Sequence, residues 1–202
     1  MIDTVIFDVG NVLTHFGWKD FIKSFGYSDD ICKRVGDATI ESRYWKEYDR
    51  GVMSNDDIVN LFVSLDPGVE KEIRETMKCF TGILHPADYA IPWIEELKAR
   101  GLRVLFLSNF SDRAYRECID ALGFVDHTDG GIFSYKVGLI KPDPAIYRKL
   151  IETYALETQN CVFIDDLKDN IAAADSIGFN TILFEGYPQA RTELDRMINN
   201  TE

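Results

Sequence analysis

The sequence predicts an α/β fold, a parallel sheet covered by helices, with a helical segment inserted after the first strand. Three observations carry this. Residues 5–7, 102–107, 161–164 and 181–184 are short apolar runs rich in β-branched and aromatic side chains, as expected of strands. After residue 85 they are separated by helical stretches that end at Gly101, Gly123 and Gly178, and strands alternating with helices imply βαβ units with parallel pairing. Residues 15–84, between the first run and the second, carry helical signals only. They read as an insertion over the strand ends rather than a domain that follows in sequence. The expected boundaries are residues 1–14 and 85–202 for the sheet domain and 15–84 for the inserted helices.

Val5, Ile6 and Phe7 form an unbroken apolar run, as in a strand buried on both faces, and Gly10 breaks the pattern just past Asp8. Ser54-x-x-Asp57 resembles a capping box ahead of Ile58, Leu61, Phe62 and Leu65, so a helix is expected to start there. Pro67-Gly68 punctuates the insertion before a further helical run over residues 69–80. The strand runs end in polar residues: Asp8, Ser108-Asn109 and Asp165-Asp166. Ligands of open α/β sheets bind beyond the carboxyl ends of the strands, so these distant groups are expected to converge. In isolation, Asp165 and Asp166 read more readily as helix N-caps before Ile171 than as functional groups.

The chain has 202 residues, 46% hydrophobic and 28% charged, an ordinary globular composition and enough for one core with a smaller appendage. Its 34 acidic and 22 basic residues give a net charge of −12, which repels a phosphate backbone, so no nucleic-acid partner is expected. A small anion remains admissible where a metal, a lysine or backbone N–H groups reverse the field locally. Residues 15–84 carry only −3 of that charge, so the acid is concentrated in the sheet domain. No apolar run approaches the roughly 18 residues of a membrane span, and the first residues lack the basic start of a secretory signal. Cys32, Cys79, Cys118 and Cys161 are scattered, with no CxxC pair, which predicts reduced thiols, a cytoplasmic location and no zinc site.

The segments FDVGNVL (residues 7–13), FLSN (106–109), LIKPDP (139–144) and FIDDLKDN (163–170) resemble the four motifs of the haloacid dehalogenase superfamily. They stand in that family's order and span nearly the whole chain. Within the superfamily the chain is similar to the small sugar-phosphate phosphatases, glucose-1-phosphatase-like members among them. The phrase YDRGVMS (48–54) is similar to a turn in their caps. The resemblance implies a Rossmann-like three-layer core with a helical cap, a monomer or homodimer. It also implies an Mg²⁺-dependent phosphatase acting on a small phosphorylated metabolite, a sugar phosphate. By the family pattern Asp8 is the nucleophile that forms an aspartyl-phosphate, and Lys141 is its charge partner. Ser108 and the backbone N–H groups of Asn109 and Phe110 would bind phosphoryl oxygens. Asp8, the Gly10 carbonyl and Asp166 would hold Mg²⁺, supported by Asp165 and Asn170.

These residue types suit that chemistry. Three gathered carboxylates stay ionised only with cations nearby, and Mg²⁺ takes a few carboxylate oxygens while accepting a phosphate oxygen. A carboxylate nucleophile divides one difficult displacement into two easier steps, and N–H groups at a helix start bind an anion without net basic charge.

One position departs from the family pattern. Its phosphatases usually carry a second aspartate two places after the nucleophile, where this chain has Gly10. General acid–base help is worth roughly 10²- to 10⁴-fold. Either another group or a water substitutes, or the substrate has a good leaving group such as an anomeric oxygen, or turnover is weak. His15 lies just beyond the first motif, although a histidine after a strand is more often structural. Two alternatives follow: a metal-independent 2-haloacid dehalogenase, and a weakly active regulatory or binding member of the fold. The Asp165-Asp166 pair weighs against the first, since a metal-free site gains little from further carboxylates. In the insertion, Arg43, Lys46 and Arg50 with Tyr44, Trp45 and Tyr48 read chiefly as a solvated face beside a buried aromatic stripe. A grip on phosphate or sugar is the rival reading.

Overall fold

A computed structural model describes residues 1–199. The chain begins with β1 (Thr4–Phe7) and β2 (Thr14–Phe16), then α1 (Trp18–Lys23), α2 (Asp29–Ala38), α3 (Trp45–Arg50), α4 (Asn55–Leu65) and α5 (Glu70–Thr76). It continues through β3 (Leu84–Pro86), α6 (Ala90–Ala99), β4 (Arg103–Ser108), α7 (Asp112–Glu117) and β5 (Gly131–Phe133). Last come α8 (Pro144–Tyr154), β6 (Cys161–Asp165), α9 (Lys168–Ile177), β7 (Asn180–Leu183) and α10 (Tyr187–Asn199). One sheet has the order β5-β4-β1-β6-β7, and every neighbouring pair in it is parallel.

The apolar strands are continuous because both faces of the sheet are covered. Val5, Phe7, Val104, Phe106, Val162 and Ile164 enter one core, and Ile6, Leu105, Leu107 and Phe163 enter the other. Trp93, Ile94 and Leu97 of α6 with Leu194 of α10 belong to the first; Ile146, Tyr147 and Leu150 of α8 with Ala174 of α9 belong to the second. Each fully buried side chain of this size contributes about 1.5–3 kcal/mol. Gly101 and Gly178 do terminate α6 and α9, with φ of +83° and +99°. Gly123 instead lies inside a 3₁₀ stretch over Ile119–His127. Strand β5 has three residues, too few for a period to register in the sequence.

The insertion leaves and rejoins the sheet domain at one place. Strands β2 and β3 pair antiparallel, with His15 opposite His85 and Phe16 opposite Leu84, and the Gly17 N–H donates to the Ile83 carbonyl at 2.9 Å. Residues 14/15 and 84/85 therefore fall within a two-stranded ribbon, and helices α1 to α5 lie between its strands. Ser54 caps α4 as its spacing predicts: its Oγ accepts from the Asp57 N–H at 3.1 Å and donates to Asp57 Oδ2 at 2.7 Å. The run over 69–80 is helical only to Thr76. Tyr48, Ile58, Phe62, Ile73 and Phe80 form the insertion's interior, which is continuous with the core beneath the sheet. Gly51 ends α3 in the left-handed region, and a Cβ there would come within 2.8 Å of Tyr135 Cβ. Only glycine lets α3 rest this closely on the turn over Ser134–Lys136.

Candidate active site

Asp8 follows the last residue of β1, and its N–H donates to the Ile164 carbonyl of β6 at 2.8 Å, so its backbone is held at the carboxyl end of the sheet's central strand. Lys141, 1% exposed, places Nζ 2.8 Å from Asp8 Oδ1 and 2.6 Å from Asp165 Oδ2. The second carboxylate is saturated. Asp165 Oδ1 accepts from the Leu167 N–H at 2.8 Å, and Asn170 Nδ2 lies 2.9 and 3.0 Å from its two oxygens. Asp165 and Asp166 are thus not the N-caps of α9, which follows Leu167 with no side-chain cap. Asp166 is half-buried, and its Oδ2 accepts from Asn11 Nδ2 at 3.1 Å.

One oxygen each from Asp8, Asp165 and Asp166 lie within 4.8 Å of one another. Asp8, Gly10 and Asp166 border a cavity of about 400 Å³, whereas Asp165 stands behind them. Burial pushes the Asp8 carboxyl up to about 7, with Lys141 opposing and Asp165 adding to the rise. Burial also raises Asp166, eased by Asn11. Lys141 is held above the usual lysine range, because Asp165 and Asp8 outweigh the burial that opposes its charge. Oxygen donors gathered in this way fit a hard divalent cation such as Mg²⁺, which would return both carboxyls to their ionised form.

Ser108 ends β4 and borders the same cavity, together with Asn109, Phe110, Lys141 and Asn170. The Asn109 side chain has a task that the sequence did not disclose. Its Oδ1 accepts from the Lys141 N–H at 2.7 Å and its Nδ2 donates to the Lys141 carbonyl at 2.9 Å, tying the lysine's loop to the end of β4. The expectation for Phe110 needs correction. Its N–H already donates to the buried Ser134 Oγ at 2.8 Å and is not a free phosphoryl donor. Ser134 Oγ in turn reaches the backbone carbonyl of Asp49, pinning α3 to the loop that follows β4.

The insertion roofs the cavity through α3, which brings Trp45, Lys46 and Asp49 to it. Asp49 is 8% exposed, and its carboxyl has no hydrogen bond or ion pair among the described residues. Burial, then the Asp8 charge, pushes it up to about 8, opposed by Lys141. Sequence reasoning passed over this residue. The available signal was its place four residues after Trp45, on the same helical face as an aromatic. Arg50 pairs with Glu47 at 3.0 Å, Arg43 Nη2 donates to Tyr44 Oη at 2.8 Å, and Tyr48 is core, so the solvated-face reading holds for these. Lys46 is exposed and Trp45 belongs to the half-buried aromatic stripe, its ring centroid 5.4 Å from that of Tyr48 and 6.2 Å from that of Phe62, so the same reading extends to both, although both also border the cavity. His15 is exposed on the ribbon and does not border the cavity. Phe16, Ile40, Trp45, Ile83 and Leu84 give the cavity a largely apolar wall opposite the carboxylates.

Known proteins resemble this chain in sequence and in fold. The chain is 30% identical over 176 residues to a sesquiterpene phosphatase of Aspergillus oryzae, covering 86% of this chain and 85% of that protein. It is 24% identical over 210 residues to a D-ribitol-5-phosphate phosphatase of Bacteroides thetaiotaomicron, covering 99% and 100%. The fold is that of a haloacid dehalogenase (HAD) family enzyme from the same bacterium, solved in complex with magnesium and inorganic phosphate. The match has a TM-score of 0.68 at 18% identity and covers 90% of this chain and 93% of that one. Residues 2–178 match the haloacid dehalogenase-like hydrolase family, so the run of motifs from Asp8 to Asn170 has a common origin with those enzymes, and the chain belongs to that family.

Proposed function

We propose that the protein is an Mg²⁺-dependent phosphatase of small phosphomonoesters that works through an aspartyl-phosphate on Asp8. The observation that carries this reading is the buried Lys141 bridging Asp8 and Asp165 (2.8 and 2.6 Å) beside the half-buried Asp166, on the floor of a roofed cavity. Asp8, the Gly10 carbonyl and Asp166 would hold the metal, which supplies Lewis-acid stabilisation of the phosphoryl oxygens. Lys141 orients the nucleophilic oxygen and offsets charge beside it, Ser108 and the Asn109 N–H steady the phosphoryl group, and Asp165 with Asn170 keeps Lys141 in place. The inserted helices act as a cap that excludes water and limits the substrate to what about 400 Å³ accepts. That space suits a small molecule better than a polymer or a phosphoprotein. The unpaired thiols of Cys32, Cys79, Cys118 and Cys161 suit a reducing, cytoplasmic setting, and no helix among the described residues is long and apolar enough to cross a membrane.

Two substrate classes follow from different observations. The resemblance to sugar-phosphate phosphatases, and the ribitol-5-phosphate enzyme at 24% identity, support a sugar phosphate. The apolar wall of Phe16, Ile40, Trp45, Ile83 and Leu84, with the sesquiterpene phosphatase at 30% identity, favours the monophosphate of an apolar alcohol. We place the second ahead of the first, because most of the cavity's lining surface is apolar and suits an apolar ester group. The test is phosphate release from phenyl phosphate, prenyl monophosphates and sugar phosphates, with and without Mg²⁺, for wild type and Asp8→Asn. Release is expected only with metal and only from the wild type, and it should be fastest on the prenyl esters. Release that survives both chelation and Asp8→Asn overturns the mechanism. Chloride release from a 2-haloacid without metal would instead establish the dehalogenase reading.

A further inference from the structure

The chemistry leaves one role unfilled. Displacement by Asp8 breaks the bond between phosphorus and the ester oxygen, and an alkyl oxygen departs poorly unless it receives a proton. Gly10 cannot supply one. Sterics do not account for its missing carboxyl, since a Cβ on Gly10 would meet nothing within 4 Å. The proton donor has to come from elsewhere on the cavity surface.

Across from Asp8, the cavity has one candidate of suitable chemistry. Glu41 and Lys46 are exposed to solvent, Asp166 is a candidate metal ligand on the floor, and Asp165 stands behind it, bound to Lys141. His15 lies outside the cavity. Asp49 is buried, borders the cavity, and has no partner for its carboxyl among the described residues. Its backbone is held by Ser134 Oγ, which also takes the Phe110 N–H. The carboxyl is therefore carried on an element tied to the phosphate-binding loop rather than on a free surface.

We propose that Asp49 is the general acid and base of this site, delivered by the inserted helix α3 in place of a carboxyl at position 10. The proposal rests on the phosphatase reading. In the first step Asp8 Oδ attacks phosphorus, the ester bond breaks, and the departing oxygen takes the Asp49 proton, giving free alcohol and aspartyl-phosphate. In the second, the Asp49 carboxylate takes a proton from water as that water attacks phosphorus. The bond to Asp8 then breaks, inorganic phosphate leaves, and both aspartates return to their starting states. Burial favours the neutral, proton-bearing carboxyl that the first step needs. Because the acid sits on the roof, acid catalysis is available only while the insertion covers the floor.

The test compares two esters of similar size in rapid-mixing experiments with Mg²⁺. 4-Nitrophenyl phosphate leaves without a proton, and 2-phenylethyl phosphate needs one. In Asp49→Asn, 4-nitrophenyl phosphate should still give a burst of one nitrophenolate per enzyme, followed by slow turnover, because the second step has lost its base. Cleavage of 2-phenylethyl phosphate should fall roughly 10²- to 10⁴-fold in kcat, with KM changed far less. Asp49→Ser serves equally if the asparagine variant does not fold, and the retained burst reports an intact site. Wild-type rates on both esters, or an equal loss on both through KM, would overturn the proposal. If the wild type releases phosphate from neither ester, the phosphatase reading fails first, so the two failures are distinguishable.

Discussion

At the strand ends nearly every polar group of the cavity is tied to another, whereas the insertion brings apolar side chains, the exposed Glu41 and Lys46, Ser42, and the buried, unpaired Asp49. Lys141 serves two carboxylates, Asp165 is saturated by Leu167, Asn170 and Lys141, and the Asn109 amide takes both polar groups of the Lys141 backbone. Trp45, Phe16 and Leu84 meet the same space through packing alone. The difference separates two kinds of constraint. A floor residue cannot be removed singly without stranding a buried charge, while a wall residue can be exchanged at the cost of its contacts. Such a division suits a site in which the phosphoryl chemistry is constant and the ester group is what varies.

The largest effect is expected on the floor. Lys141→Met leaves Asp8 and Asp165 without their cation, and should lower stability by about 3–5 kcal/mol in urea titration and abolish turnover. A loss below about 1 kcal/mol would mean that the floor's charges are not coupled as their distances indicate.

Next is pH. Asp8 and Asp49 are pushed up to about 7 and about 8 from 3.8, so the folded state holds protons that the unfolded chain releases. Their contribution is complete below the unfolded value and is lost as pH rises through about 7 and 8. Metal-free protein should therefore lose stability progressively as pH rises from about 5 toward 9, seen as a falling Tm. Saturating Mg²⁺ should flatten the part due to Asp8, and Asp49→Asn the part due to the roof. A Tm that rises over this range would show that neither carboxyl is protonated in the fold.

The smallest effect is expected at the wall. Trp45→Ala should cost about 2 kcal/mol and raise KM for esters of apolar alcohols, while kcat on phenyl phosphate changes little. An equal loss of kcat on all esters would erase the distinction between floor and wall.

Much of the floor was legible because its residues close apolar runs: Asp8 after β1, Ser108 at the end of β4, Asp165 at the end of β6. Where a strand ends, the sequence changes from apolar to polar within one or two positions, and parallel sheets bring such ends together. Strand β5 was not legible in three residues, and β2 and β3 escaped because a ribbon that short has no period of its own. Asp49 escaped for a different reason. A single acid among Tyr48, Arg50 and Glu47 looks like any charged helix until its neighbours in space are known.

The sequence by itself determined the α/β alternation, the interruption after the first strand, and the set of polar residues at the strand ends, since these depend on periods of two to four residues and on abrupt changes of composition. It took the packed fold to show that Asn109 holds Lys141, that Ser134 occupies the Phe110 N–H, that His15 lies outside the cavity, and that Asp49 and Asp8 border the same cavity. Each of these joins segments with no local relation, and such contacts are selected by the packing of whole elements and the need to satisfy buried polar groups.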